Sequence, residues 1–214
     1  MSPIYFIVTC DLIHSKKALD RSQVQQELRK AVDIVNREYR QKLVCPFITV
    51  WGDSFQGALK SLKGFYNLIE TFEELISVEF RCGIGVGKLT TEISTTTLEM
   101  DGPAFHRSRA ALDIAEKGQR RVWIQSGNHV FDGMVNSILT LLYALKSRWT
   151  PHQKEIIRMR RKGMTYAEIG EKKKISKQAV YKSLKTAKWE EAFLAIRTLN
   201  NLTGTYFKQL EGME

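Results

Sequence analysis

Residues 47–59 read FITVWGDSFQGAL. Two short β-rich runs, 48–51 and 55–59, flank Gly52 and Asp53, a pair that predicts a tight hairpin because glycine accepts positive φ and aspartate tolerates it. A carboxylate is thereby held at a hairpin tip. Aspartate in such a turn often has only a turn-forming part, so a functional reading needs a second acid, and Asp11 is the candidate. It follows the continuous apolar run 4–10, IYFIVTC, which suits a central strand covered on both faces.

Working outward, a Ser22-x-x-Gln25 capping box opens a helix over 22–39 with Val24, Leu28, Ala31, Val32 and Val35 on one face. Beyond the hairpin, Ser61 is placed to cap a helix whose Phe65, Leu68, Ile69, Phe72, Leu75 and Ile76 recur at helical spacing. A strand over 78–86 ends in Gly83-Ile-Gly85-Val-Gly87, which lacks the last glycine of GxGxxG and the Gly-Lys-Ser/Thr of a P-loop. Gly85 and Gly87 are still candidates for close approach to a nucleotide. Residues 88–100 show no period and read as loop or edge strand. Asp101-Gly102-Pro103 opens a helix through 117, with Phe105, Ser108, Ala111, Leu112 and Ala115 inward, and 121–125 forms a last strand. That order, β-α-β-β-α-β then α-β, predicts an α+β domain over residues 1–127 with a ferredoxin-like, split β-α-β core.

Composition is that of a globular protein, 43% hydrophobic and 26% charged, with no apolar run near the ~20 residues that span a bilayer. The opening MSPIYFIVTCDLI lacks a basic n-region; a cytoplasmic location without a membrane partner is expected. Cys10, Cys45 and Cys82 are odd in number and widely spaced, so they read as three small buried hydrophobes, neither disulfide framework nor metal ligands.

The net charge of +10 is unevenly distributed. Residues 1–145 carry 17 basic and 16 acidic side chains, 146–190 carry 14 and 4, and 191–214 carry 2 and 3. A basic excess confined to one segment attracts a polyanion, and nucleic acid comes before membrane because the segment is not a simple amphipathic basic helix.

Residues 128–147 read as a linker or dimerisation helix with Val135, Ile138, Leu139, Leu142 and Leu145 as its stripe. Over 148–190, Thr150-Pro151 starts a helix that Gly163 ends, a short helix follows from Thr165, a turn falls near Lys174, and Ser176 caps a helix to about Lys188. Helix, turn and capped helix at that spacing is a helix-turn-helix signature. Ile169, Ile175, Val180 and Leu184 supply its core, while Lys177, Gln178, Tyr181, Lys182 and Lys185 lie outward beside Ser176. The lysines would meet phosphates; Gln178 and Tyr181 are placed to read base edges. Residues 191–214 read as a C-terminal helix suited to dimerisation.

Asp11-Leu-Ile after the first strand, Gly52-Asp53-Ser-Phe55 on the hairpin, the Gly-Ile-Gly-Val-Gly strand and Asp101-Gly102-Pro together resemble the SatD family, whose core looks like the nucleotide-cyclase and GGDEF palm-type fold. The resemblance implies that Asp11 and Asp53 are ligands of Mg²⁺ or Mn²⁺. It also implies that backbone N–H groups of residues 12–15, at Ser15 for instance, with Lys16 or Lys17, hold the phosphates of a nucleoside triphosphate. The chain departs from the cyclase pattern on the following helix, where His106 and Ala110 stand in place of asparagine and arginine. The stretch over 149–189 resembles the helix-turn-helix of sigma-factor region 4, except that Lys173 replaces a core leucine and Lys174 the turn glycine.

The expectation is a DNA-binding transcriptional regulator, a homodimer on double-stranded DNA, with a nucleotide-sensing first domain and no assigned catalytic residue. A second class is a metal-dependent nucleotidyl cyclase or triphosphate hydrolase at Asp11 and Asp53. A third is an RNA-associated protein using the same basic surface.

Overall fold

The computed structural model describes residues 3–13, 21–50 and 52–212, with side-chain surroundings to residue 201. It divides into a unit of residues 1–140 with 199–214 and a unit of residues 141–198. The division falls inside two helices rather than at the expected boundaries 127/128, 147/148 and 190/191. The end of the C-terminal helix thus joins the first unit.

In the first unit, β1 (Tyr5–Leu12), α1 (Arg21–Glu38), β2 (Leu43–Val50), β3 (Ser54–Leu59), α2 (Phe65–Leu75), β4 (Phe80–Gly87), α3 (Pro103–Lys117) and β5 (Val122–Gln125) follow in order. The sheet order is β2-β3-β1-β4-β5. β1 lies antiparallel between β3 and β4, and β5 joins β4 in parallel. This is the expected split β-α-β core with one further strand. Ile7, Val8 and Cys10 are fully buried, as a central strand requires.

Several local expectations differ. β2 begins five residues before position 48 and carries Pro46; β2 is an edge strand with register shifts between Cys45 and Ile48, where a missing N–H is tolerated. α1 is already helical at Arg21, the first residue described there, so Ser22 lies within the helix rather than capping it. Gly64, in the left-handed region, precedes α2, and Ser61 instead accepts from the N–H of Lys63.

One sheet face is lined by Phe47, Phe55 and Phe80 with Phe72 of α2, ring centroids 4.7–6.4 Å apart. The opposite face carries Ile7, Cys45 and Ala58 against Met100, Ala104 and Phe105. An asparagine amide guards each edge strand. Asn36 of α1 pairs both ways with Phe47, and Asn136 does so with Ile124, at 2.7–2.9 Å. Both devices occupy backbone groups that an open edge would offer to another chain.

Cys10 and Cys82 are directly opposed on β1 and β4 and form a disulfide, with Cα atoms 4.1 Å apart. This corrects the reading of three free thiols; only Cys45 is free. The expectation failed because strand register, not sequence spacing, brings the two sulfurs together.

α4 (His129–Lys146) and α8 (Trp189–Gly212) each begin in one unit and end in the other. Asn200 of α8 accepts from the N–H of Tyr66 at the start of α2. Val135, Leu139 and Leu142, the stripe expected to form a linker or a dimer seam, are buried within the chain itself. No helix among the described residues is long and apolar enough to cross a membrane.

The second unit contains α5 (Pro151–Arg161), α6 (Tyr166–Lys173) and α7 (Lys177–Thr186). Thr150 and Thr165 form capping boxes with Gln153 and Glu168, and Ser176 caps α7 by accepting from Ala179 N–H at 3.1 Å. Lys174 takes the left-handed conformation, φ 55° and ψ 43°, at a cost of roughly 1–2 kcal/mol for a side chain there. Ile156, Ile157, Ile169, Val180, Leu184 and Ala187 are buried. Trp149 adds an indole N–H donated to Ala187 O at 2.7 Å.

Candidate functional site

Asp11 is the penultimate residue of β1, and its register partners are Ser54 on β3 and Arg81 on β4. Because side chains alternate along a strand, Asp11, Thr9 and Ile7 share the face that α3 covers. Ser54 Oγ donates to Asp11 Oδ1 at 2.8 Å. Gly52 takes the positive φ of 80° that the turn needs. Asp53, half-buried, accepts at its backbone carbonyl from Leu12 N–H at 3.0 Å. The hairpin tip is thus fastened to the end of β1, and the two aspartates expected to act together are neighbours.

Burial pushes the Asp11 carboxyl above its ordinary range; the Ser54 hydrogen bond opposes that, the charges of Asp53 and then Glu116 add to it, and the Arg81 charge offsets a part. An ionised Asp11 is therefore held at a disadvantage that a cation would relieve. Two carboxylates offering hard oxygens match Mg²⁺ or Mn²⁺, which complete their shells with water and anionic oxygens. Among the described residues no group of three or more His, Cys, Asp or Glu side chains is gathered for a metal.

A polar seam runs inward from Asp11. Gln56 Nε2 donates to Thr9 Oγ1 at 2.7 Å, Thr9 and Ser108 hydroxyls lie 2.9 Å apart, and Ser108 Oγ donates to Phe105 O. Each hydroxyl has one proton, so Thr9 donates to Ser108 and the chain has a single direction. Ser54, Gln56, Thr9, Arg81 and Glu116 were not singled out by sequence reasoning. For the four strand residues the signal was the alternation of β1, β3 and β4, legible only once register is known; Glu116 comes from the end of α3.

The nucleotide-binding expectations fare differently. Gly85 and Gly87 approach α3 instead. A Cβ at Gly85 would lie 2.0 Å from Ala104 O and 2.2 Å from Ser108 N, and one at Gly83 would lie 2.1 Å from Ser108 O. The glycine strand is the track on which α3 rests. Gly85 and Gly87 also pair with Ile7 and Tyr5, four and six residues from Asp11, or roughly 13 and 20 Å along the strand. Leu12 N–H is engaged by Asp53, and Ile13 N–H donates to Glu79 O at 2.7 Å, so neither is turned to a phosphate. Ser15, Lys16 and Lys17 lie outside the described residues.

α3 runs back along β4, so His106 lies near its start and Glu116 at its end, with Glu116 facing Arg81. His106 is exposed beside Asp101, 3.7 Å away. Arg107 donates to Val86 O at 2.6 Å and fills the space above Gly127, where a Cβ would lie 2.7 Å from its Nη2. It braces the loop that follows β5.

In the second unit α7 presents Ser176, Lys177, Gln178, Tyr181, Lys182 and Lys185 to solvent while Val180 and Leu184 are buried. Tyr181 packs against Tyr166 at 6.3 Å, and Arg160 lies over Tyr166 at 5.2 Å. Where the expected pattern places a core leucine, Lys173 reaches across to Glu155 of α5 in an ion pair. Gly170 gives the turn room, since a Cβ there would lie 2.8 Å from Ile175 O.

The sequence model of a family described as the SatD family matches residues 5–199. No curated protein sequence matches the chain. Solved structures similar to part of it include a bacterial light-regulated adenylyl cyclase, at 12% identity and a TM-score of 0.44 over 59% of this chain and 44% of that one. Another is the catalytic core of a rhodopsin-guanylyl cyclase with converted specificity in complex with ATPαS, at 11% and 0.37 over 52% and 72%. A third is the guanylyl cyclase Cya2, at 12% and 0.30 over 53% and 72%. The chain spans under half the length of the first of these.

Proposed function

The chain belongs to the SatD family, and from that premise we propose that it is a DNA-binding transcriptional regulator whose sheet unit holds a divalent cation and senses a nucleotide. The observation that carries the DNA reading is α7. Its buried Val180 and Leu184 anchor it, and its cap and outward face expose Ser176, Lys177, Gln178, Tyr181, Lys182 and Lys185. A helix of this kind, following a short helix and a turn, enters the major groove with its N-terminal half. Lys177, Lys182 and Lys185 meet phosphates and set orientation, while Gln178 and Tyr181 reach base edges. One such helix reads a half-site, so the working form is a homodimer.

The test is duplex-DNA binding by the full chain over a range of salt. Each lysine that neutralises a phosphate adds about 0.9 to the slope of log K against log salt. Lys182→Glu and Lys185→Glu should each weaken binding and flatten that slope. Binding that is insensitive to both substitutions removes the proposal, and a preference for RNA over duplex DNA in competition would favour an RNA-associated protein.

The second reading is a metal-dependent nucleotidyl cyclase or triphosphate hydrolase, favoured by the fastening of Asp53 beside Asp11. A bound Mg²⁺ or Mn²⁺ would polarise phosphoryl oxygens and activate an attacking hydroxyl. Asp11 and Asp53 would hold the ion, and Ser54 would keep Asp11 turned toward it. Turnover of any nucleoside triphosphate with either metal, lost in Asp53→Ala, would establish this reading; no turnover in any combination removes it.

A further inference from the structure

Tyr181 stands in the middle of the exposed row on α7, with Gln178 three residues before it and Lys185 four residues after, so the three share one face. The residue is 48% exposed, and the rest of it meets a ring and a charge. Tyr166, the first residue of α6, lies 6.3 Å away between centroids at an interplanar angle of 51°. The Lys185 ammonium lies 5.8 Å from the Tyr181 centroid. Tyr166 is held in turn. The Thr165–Glu168 capping box fixes where α6 begins, and the Arg160 guanidinium lies over the Tyr166 ring at 5.2 Å. Arg160 is itself anchored, donating from Nη1 to Met164 O at 3.0 Å. A guanidinium, two phenol rings and an ammonium thus form one continuous series from the end of α5, across the start of α6, to α7. Each step is a cation against a ring or a tilted ring pair, both favourable arrangements.

From this series we infer that Tyr166 is a positioning residue for sequence readout: it acts on DNA through Tyr181, holding that ring in place before DNA arrives. The inference rests on the DNA reading proposed above. A tyrosine projecting alone from a helix is ordered only on binding, and that ordering subtracts from affinity. Ring contact with α6 removes the cost in advance. The benefit falls on one kind of contact. A base edge is met only if the phenol points the right way, whereas an ammonium on a flexible stem follows a phosphate without fixed geometry. Loss of the Tyr166 ring therefore lowers discrimination between sequences and spares the sequence-independent part of binding.

The experiment is selection of duplexes from a randomised pool by the full chain, followed by affinity for the selected duplex and for a scrambled duplex of the same composition over a range of salt. Tyr166→Ala should lower the preference for the selected duplex about two- to tenfold, the range expected for ordering one side chain. Its affinity for the scrambled duplex and its salt slope should stay those of the parent. Tyr166→Phe should keep the preference, because the ring and not the hydroxyl does the holding. Tyr181→Ala should lose preference at the same base pair, and adding Tyr166→Ala to it should cost nothing more.

A ratio of selected to scrambled affinity that is the same in Tyr166→Ala as in the parent overturns the inference. Equal loss on both duplexes with a flatter salt slope also overturns it, since Tyr166 would then be a phosphate contact in its own right. Loss of preference in Tyr166→Phe, or additive losses in the double variant, has the same consequence. A parent that binds duplexes without preference overturns the inference and leaves the DNA reading standing; a parent that binds no duplex removes both. Far-UV circular dichroism of Tyr166→Ala separates loss of readout from loss of the fold. If that variant does not fold, Tyr166→Leu, which keeps apolar bulk without a ring, takes its place in the same comparisons.

Discussion

Gly85 and Ala104 meet so closely that a Cβ on the glycine would lie 2.0 Å from the alanine's carbonyl oxygen. The obstructing atoms are backbone, Ser108 N among them at 2.2 Å, so no rotamer change relieves the clash. α3 would have to lift from β4, taking Phe105 and Ala104 out of the core beneath them.

Gly85→Ala should therefore destabilise the first unit by about 3 kcal/mol or more, at the upper end of overpacking costs. Urea unfolding of the purified variant checks this. A midpoint within error of the parent would mean that α3 does not sit on the strand.

Asp11 should leave a mark on the pH dependence of stability. Its folded carboxyl is raised above the ordinary 3.8, so the native state holds this proton more tightly than the unfolded chain. The stabilisation is fully present below the ordinary value and is lost as pH rises through the raised one. At neutral pH without divalent ions, Asp11→Asn should raise the thermal midpoint by a few degrees. Mn²⁺ should raise the midpoint of the parent and not of the variant, read by scanning calorimetry with and without chelator.

Lys173 and Lys174 make the short helix α6 improvable. Lys174→Gly should relieve the left-handed conformation and stabilise the turn by up to about 1 kcal/mol. Lys173→Leu removes the pairing with Glu155, whose carboxylate is partly exposed and can rehydrate. The change should be neutral to stabilising, within about 1 kcal/mol, because a well-packed apolar side chain replaces a half-buried ion pair. Hydrogen exchange of α6 and α7 amides reports both locally.

The Cys10–Cys82 bond closes a separation of 72 residues, and reduction should cost about 2–4 kcal/mol. In denaturant without reductant, alkylation should add one label, at Cys45. Three labels would mean that the bond is absent from the purified protein.

What was legible from the amino acids alone followed from interactions within a few residues. The period of Val24, Leu28, Ala31 and Val35, the Thr150 and Ser176 caps, the Lys174 turn and the alternating elements of the sheet unit all rest on contacts of that range. Such contacts are written into adjacent letters. The carboxylate pair was legible by type and order, because one aspartate ends a strand and the other tips a hairpin. Tertiary structure alone decided which residues stand beside them. Ser54 and Arg81 reach Asp11 across 43 and 70 positions through strand register, and register likewise joins Cys10 to Cys82. It also decided between two uses of the same missing side chain: Gly83, Gly85 and Gly87 could have admitted a phosphate or a helix. Only the path of α3 along β4 determines that the helix takes the space.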